Sequence, residues 1–312
     1  MRASSDIGVR DLVLASGPRN RLGCLVHTAH HARKRSAAAV RRRIVADRHP
    51  LSGLRRMSAK SAADHDPALF YSGLVAELYE PLASEHAKAD DYVCFLDAAG
   101  APALELCCGS GLPLLELLAR GYDVHGVDAS SEMLARCHAE ATRRGLDVTL
   151  FEQRMQDLDL PHRYRAIFLA GASFTLLTSD EDARRTLDAM AAHLEPGGRV
   201  LIPLEVPDPD LRSPITRETL GPDGATLRVR VMAMAIDPEA RSHRSTLRLE
   251  RVAADGTTET LERDWVRHWW TQAQFAAMLD EAGFADVHAV GADGHTAAPD
   301  AHFFVFVAHR PS

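Results

Sequence analysis

From Pro102 onward the apolar residues recur in two alternating registers. The short runs ALELCCG (103–109), DVHGVDA (123–129), VTLFEQ (148–153), YRAIFLAG (164–171) and RVLIPLEV (199–206) read as strands. Between them, LPLLELLARG, SSEMLARCHAEATRRG and SDEDARRTLDAMAAHLEPGG carry helical spacing, each with a glycine at or just past its end. Ser179 has the chemistry of an N-cap, and Asp180, Glu181 and Asp182 crowd the first turn, where the helix dipole favours negative charge. The segment LEPGG reads as a sharp turn from that helix into the fifth strand. Strand and helix alternating in this way predict right-handed crossovers and a parallel sheet covered on both faces.

After Val206 the period changes. A proline-rich link, VPDPDLRSP, leads to ATLRVRVMAMAID, HRSTLRLERVA and TTETLERDWVRHWW, which alternate with a period of two, the last two joined by the turn ADG. One helix, TQAQFAAMLDEAGF, and two strands, ADVHAVGAD and HFFVFVAHR, complete the chain. The expected fold is α/β: a Rossmann-like, seven-stranded, mostly parallel sheet with helices on both faces and an antiparallel meander inserted after strand 5, over about residues 207–268. Ahead of the sheet, DPALFYSGLVAELYEPLASEH reads as one or two short helices punctuated by Pro67 and Pro81. Tyr71 and Tyr79 are eight residues apart and fall on roughly one helical face.

Charge divides the chain. Residues 1–56 hold 13 Arg and Lys against 3 Asp and Glu, and residues 57–312 hold 23 against 40. The head therefore reads as a basic extension outside the catalytic fold: a transit peptide, a basic arm, or, the reading favoured by the ordinary protein sequence after Met57, residues ahead of the true start. Residues 57–101 are expected to form a helical lid and 102–312 the main domain. The acidic body disfavours a nucleic-acid partner, and no apolar run reaches the ~18 residues of a membrane span. Five cysteines with no C-x-x-C pairing suit a reducing cytoplasm. Oligomeric state, monomer or homodimer, is not fixed by the sequence.

The chemistry concentrates in LELCCGSG, residues 104–111. A glycine turn between a first strand and a first helix lets a ligand approach the backbone. Asp128, at the end of the second strand, is placed to accept hydrogen bonds from both hydroxyls of a ribose. A dinucleotide site would have a third glycine where Leu114 stands. Glu105 at the head of the turn would also repel a pyrophosphate, whereas a cationic ligand with an amino-acid tail suits it. These features point to S-adenosylmethionine.

On these residues the chain resembles the class I S-adenosylmethionine-dependent methyltransferases, in particular bacterial small-molecule members, from about Tyr71 to the C-terminus. LELCCGSG matches their E-x-G-x-G-x-G pattern, followed in order by VDASSEML, QRMQDLDL, AGASFTLL and HLEPGGRVLI. The resemblance implies a cofactor shell of Glu105, Cys107, Gly109 and Gly111 at the methionine end and Asp128 on the ribose. Ala129 and Met133 would border the adenine, with Met155 and Gln156 at its edge and Ala170 and Gly171 beneath the sulfonium. Cys107 stands at the family's first glycine, and Arg154 where an acidic or small residue is more usual. No metal is implied.

A methyl acceptor would lie beyond the carboxyl ends of the strands. Ser173, Phe174, Arg267 and Trp269 are candidate contacts, with Tyr71 and Tyr79 as a lid. Transfer of a methyl group to an amine or hydroxyl needs one base to remove a proton; His268 is the first candidate and Glu205 the second. The loop AGASFT lacks the D/N-P-P-Y/F motif of enzymes that methylate adenine or glutamine nitrogens. Two other readings stay open: a non-catalytic S-adenosylmethionine-binding protein and an NAD-dependent oxidoreductase.

Overall fold

The computed structural model describes residues 70–83, 88–208, 216–221, 223–292 and 294–312. The basic head and the expectations attached to it lie outside the described residues, as does Pro67.

Seven strands form the main sheet: β1 (Ala103–Leu106), β2 (Val124–Asp128), β3 (Leu150–Glu152), β4 (Tyr164–Leu169), β5 (Leu194–Glu205), β10 (Ala285–Val290) and β11 (Phe303–His309). Their order is β10-β11-β5-β4-β1-β2-β3. Strands β1 to β5 pair in parallel, and β11 runs antiparallel to both of its neighbours. The chain winds outward from β1 to β3 and then returns to place β4 on the other side of β1. The crevice between the carboxyl ends of β1 and β4 is thus the switch point at which such sheets bind ligands.

Side-chain alternation splits the core into two layers. Leu104, Leu106, Ile167, Leu169, Val200 and Ile202 pack toward α5 (Asp180–His193) and α6 (Gln272–Glu281). Ala103, Val124, Ala166, Phe168, Leu201 and Val305 pack toward α2 (Asp90–Ala99), α3 (Leu114–Ala119) and α4 (Ser131–Arg144). Helix starts follow the side chains that cap them. Ser130 accepts from the amide of Met133, Ser179 from that of Asp182, and Thr271 forms a reciprocal capping box with Gln274.

Two local expectations change. LEPGG is not a plain turn: it begins β5, with a register shift against β4 and Gly197 in the left-handed region at φ 76°. Consequently α5 ends on Leu194 in extended conformation rather than on a glycine. The inserted meander has four strands where three were expected, in the order β6 (Thr216–Leu220), β7 (Thr226–Asp237), β8 (Ser242–Val252) and β9 (Thr258–His268). The extra strand, TRETL, is polar at every position but its last and follows a proline-rich stretch, which hid it.

The inner face of this second sheet, Leu227, Val229, Val231, Leu247, Leu249 and Trp265, packs on Phe70 and on Leu74, Val75 and Leu78 of α1 (Leu74–Ala83). Its outer face is a ladder of ion pairs, among them Arg228 with Glu218 and Glu250, Arg248 with Glu262, and Arg244 with Asp264. Two arginines fasten α1 and its entry to the sheet. Arg263 donates to the carbonyl of Phe70 at 2.6 Å, and Arg251 donates to Glu77 at 2.7 Å.

Candidate active site

Glu105 lies in register between Gly126 of β2 and Phe168 of β4. It is fully buried, and among the described residues neither carboxylate oxygen has a hydrogen-bond partner. Burial raises its pKa well above the usual carboxylate range, and the nearby Asp128 adds to the effect. A buried carboxyl left without a partner is costly, and this one stands at the switch point.

The chain then turns through Cys107 at φ 56°, Gly109 at φ 54° and Gly111 at φ 95°. The two glycines are needed for different reasons. A Cβ on Gly109 would stand 3.2 Å from Met133 Cε and 3.8 Å from the Tyr79 ring, so its absence keeps open the floor of the crevice. A Cβ on Gly111 would collide with Leu115 and Cys137 at under 3 Å, so there the requirement is close packing of the helix. Cys107 holds a left-handed conformation that glycine adopts without strain, which explains why the resembling family places glycine there. Its Sγ lies 4.0 Å from Met155 Sδ, and burial raises its thiol pKa well above normal, as it does for Cys108.

Asp128 fastens the turn from the neighbouring strand. Its Oδ2 accepts from the amide of Gly109 at 2.9 Å and its Oδ1 from the amide of Ser130 at 2.8 Å. A carboxylate has about four lone-pair sites, so Asp128 keeps acceptor capacity beyond these two bonds. Ala129 is half-buried beside it and Met133 is buried at the start of α4. Met155 is buried and Gln156 half-buried in the short helix Met155–Asp157, whereas Arg154 just before them is exposed. Ala170 and Gly171 are half-buried beyond β4.

Tyrosines roof this crevice. The rings of Tyr71 and Tyr79 meet edge to face at 5.6 Å, and a ring that the sequence reading missed, Tyr92 of α2, donates its hydroxyl to the carbonyl of Ala170 at 2.5 Å. All three phenols are pushed upward chiefly by burial. Next in weight come Tyr79 for Tyr71, Asp128 for Tyr79 and Glu105 for Tyr92. Arg267 acts on Tyr71 in the opposite direction, so the roof reaches the acceptor side as well.

That side is a shallow cleft lined by Thr175, Glu205, Pro207, Arg267, His268 and Trp269. Arg267 is held from three directions. It donates to Glu205 Oε2 at 3.1 Å and to His243 Nδ1 at 2.9 Å, and its guanidinium lies 4.2 Å from the centre of the Trp265 ring. Arginine can only donate, so His243 accepts through Nδ1 and carries its proton on Nε2, 3.2 Å from Ser245 Oγ. Burial, with Arg267 beside it, pushes the His243 pKa down to about 3.

His268 is buried, with Nε2 at 3.5 Å from Asp180 Oδ1 and its ring against Trp270. That separation permits ion pairing yet is long for a hydrogen bond. Asp180 is itself fixed by Trp270 Nε1 at 2.8 Å and by Arg241 at 2.5 Å. Burial lowers the His268 pKa, with Arg241 contributing and Asp180 opposing. The ring is accordingly neutral near pH 7, as a proton acceptor must be. Ser173 is half-buried near the cleft. Phe174 is fully buried between Trp270 and Phe275, so the structure gives that ring a core-packing role and not a pocket wall. Thr175, Asp180 and His243, not singled out from sequence as site residues, belong to this cluster.

Residues 103–198 match the family described as methyltransferase domain. Over 152 residues the chain is 30% identical to a dTDP-3-amino-3,6-dideoxy-alpha-D-glucopyranose N,N-dimethyltransferase of Streptomyces fradiae, covering 46% of this chain and 58% of the relative. It is 33% identical over 118 residues to a glycine/sarcosine N-methyltransferase of Halorhodospira halochloris, covering 37% and 44%. The chain thus spans about half the length of the curated relatives it matches. Among solved structures, an S-adenosylmethionine-dependent methyltransferase from Clostridium acetobutylicum superposes with a TM-score of 0.62 over 76% of this chain and 98% of that one. At 12% identity this is a likeness of fold. Residues 103–198 therefore match a methyltransferase domain, and over 76% of its length the chain has the fold of an S-adenosylmethionine-dependent methyltransferase.

Proposed function

We propose that this protein transfers a methyl group from S-adenosylmethionine to the amine of a small molecule. The observation that carries the cofactor assignment is the buried Glu105 carboxyl with both oxygens unpartnered, at the switch point and beside the glycine turn that Asp128 fastens. The donor set fits. An acidic surround without a cation suits a sulfonium and an ammonium and opposes a pyrophosphate, which weighs against a nicotinamide dinucleotide. Glu105 and the Cys107–Gly111 turn would hold the methionine end, Asp128 the ribose, and Met133, Met155 and Gln156 the adenine. When bound, the cofactor supplies a methyl carbon already activated by its sulfonium.

The chain's own work is then positioning. In-line displacement needs the nucleophile held about 3–3.5 Å from the methyl carbon with water kept out. Tyr71, Tyr79 and Tyr92 close the crevice, and α1 with the second sheet covers the acceptor side. His268, oriented by Asp180, takes the proton that an ammonium must lose before it can attack. Glu205 serves as the counterion of Arg267, which fits a holding role better than proton transfer. An amine acceptor is favoured because the relatives named above are N-methyltransferases. Their acceptors, a nucleotide-linked amino sugar and an amino acid, both pair an amine with an anionic group, which Arg267 at the cleft would accommodate.

The acidic body argues for a small acceptor over nucleic acid. No helix among the described residues is long and apolar enough to cross a membrane, and a cytoplasmic bacterial setting belongs to the same reading. Calorimetric titration with S-adenosylhomocysteine and with NAD tests the assignment. Binding of the first alone is expected; binding of NAD, or of neither, would remove it.

A further inference from the structure

Every titratable group that acts on Glu105, or is acted on by it, is an acid, a phenol or a thiol. Asp128 faces it from the end of β2, Tyr79 from α1, Tyr92 from α2, Cys107 and Cys108 from its own turn, and Cys137 from α4. Among the described residues, no lysine, arginine or histidine joins them. Leaving an ionised carboxylate buried without a partner or a counterion costs several kcal/mol even after relaxation, and a carboxyl in that position takes up a proton instead. Burial raises the pKa of Asp128 too, but its oxygens accept backbone amides, among them those of Gly109 and Ser130, which oppose the shift, whereas nothing opposes it at Glu105.

We infer that Glu105 holds a proton in the free protein and gives it up to solvent when the cationic end of the cofactor arrives, so that the site exchanges one proton for one positive charge. The inference rests on the cofactor reading given above and goes beyond it. Glu105 becomes a residue that selects ligands by charge, and cofactor affinity becomes linked to pH. The exchange balances, because the neutral carboxyl and the cation become an ion pair and one released proton. The sign follows from the free form being protonated. Affinity for S-adenosylmethionine rises about tenfold per pH unit until Glu105 ionises in the free protein and then levels off. An uncharged ligand of similar shape, 5'-methylthioadenosine, has no cation to offer and shows no such slope.

The test is a calorimetric titration of the full chain in buffers of different ionisation heat, which counts protons released. It is run near pH 6, where the ligand's own amino group, with a pKa of about 8, stays protonated. The expected result is close to one proton released per S-adenosylmethionine bound, and close to none for 5'-methylthioadenosine or for S-adenosylmethionine binding to Glu105→Gln. Binding without proton release, or equal release from the Gln variant, would overturn the inference. An infrared difference spectrum reads the same proton independently. A protonated-carboxyl C=O band should be present in the free wild type, absent from Glu105→Gln, and lost on binding. If S-adenosylmethionine does not bind at all, the cofactor reading falls, and the band in the free protein still decides whether Glu105 holds the proton.

Discussion

The carboxylate of Asp128 reaches across 19 residues of sequence to the amide of Gly109, 2.9 Å away, and so ties the end of β2 to the turn that follows β1. One side chain therefore fixes the turn that approaches the ligand and offers its remaining lone pairs to it. Asp128→Asn replaces one acceptor oxygen by an amide that cannot accept from a backbone N–H. Hydrogen bonds to charged groups contribute about 1.5–3 kcal/mol. The variant should lose roughly 10- to 100-fold in affinity for S-adenosylhomocysteine and about 1–2 kcal/mol of stability, read by calorimetry and by thermal melting.

Cys107→Gly should be well tolerated. The residue sits at φ 56°, where a side chain costs about 1–2 kcal/mol relative to glycine, which offsets the small side chain's packing on the core and its 4.0 Å approach to Met155. The variant is expected to melt at or above the wild-type temperature and to keep cofactor affinity within a few-fold. Cys107→Val, β-branched at the same positive φ, should melt several degrees lower.

The contribution of Glu105 to the stability of the free protein should fall as pH rises from the acid side. Glu105 has its folded-state pKa raised by burial, so the folded form binds its proton more tightly than the unfolded form does. The resulting contribution is fully present below the unfolded value of about 4.3 and is lost as pH climbs toward the folded value. Glu105→Gln removes this dependence. It should raise the neutral-pH melting temperature by a few degrees while weakening cofactor binding, a trade of stability against function that denaturation curves at several pH values would display.

Asp180→Asn keeps an oxygen for Trp270 but removes the charge that faces His268 and Arg241. Because Asp180 opposes the lowering of the His268 pKa, its loss should push that pKa further down. The shift can be followed through the His268 ring proton in an NMR titration, with His268→Ala to assign the signal. An unchanged titration would separate Asp180 from the base.

What the sequence disclosed was local. The strand and helix periods, the cap at Ser179, the glycine turn and the acidic residues Glu105 and Asp128 are each written within a few neighbouring positions. The acceptor side was legible only as a region, because its contacts are long-range. Asp180 reads from sequence as a residue of a helix first turn, yet its partners Arg241, His268 and Trp270 lie 61 or more residues away. His243 looks like one more inward position of an alternating strand until Arg267 is seen against it. Tyr92 carries no spacing that relates it to Tyr71 and Tyr79, and Phe174 was given to the pocket because its loop faces the ligand while its ring turns into the core. The polar strand β6 offered too weak an alternation to be read.

Whether this chain moves a methyl group can be measured directly. The full chain, incubated with S-adenosylmethionine labelled in its methyl group and a panel of small amines that includes glycine, sarcosine and nucleotide-linked amino sugars, should transfer label to at least one amine. Label should be lost in Asp128→Asn and strongly reduced in His268→Ala. A chain that binds S-adenosylhomocysteine yet labels no amine in the panel would contradict the proposed function.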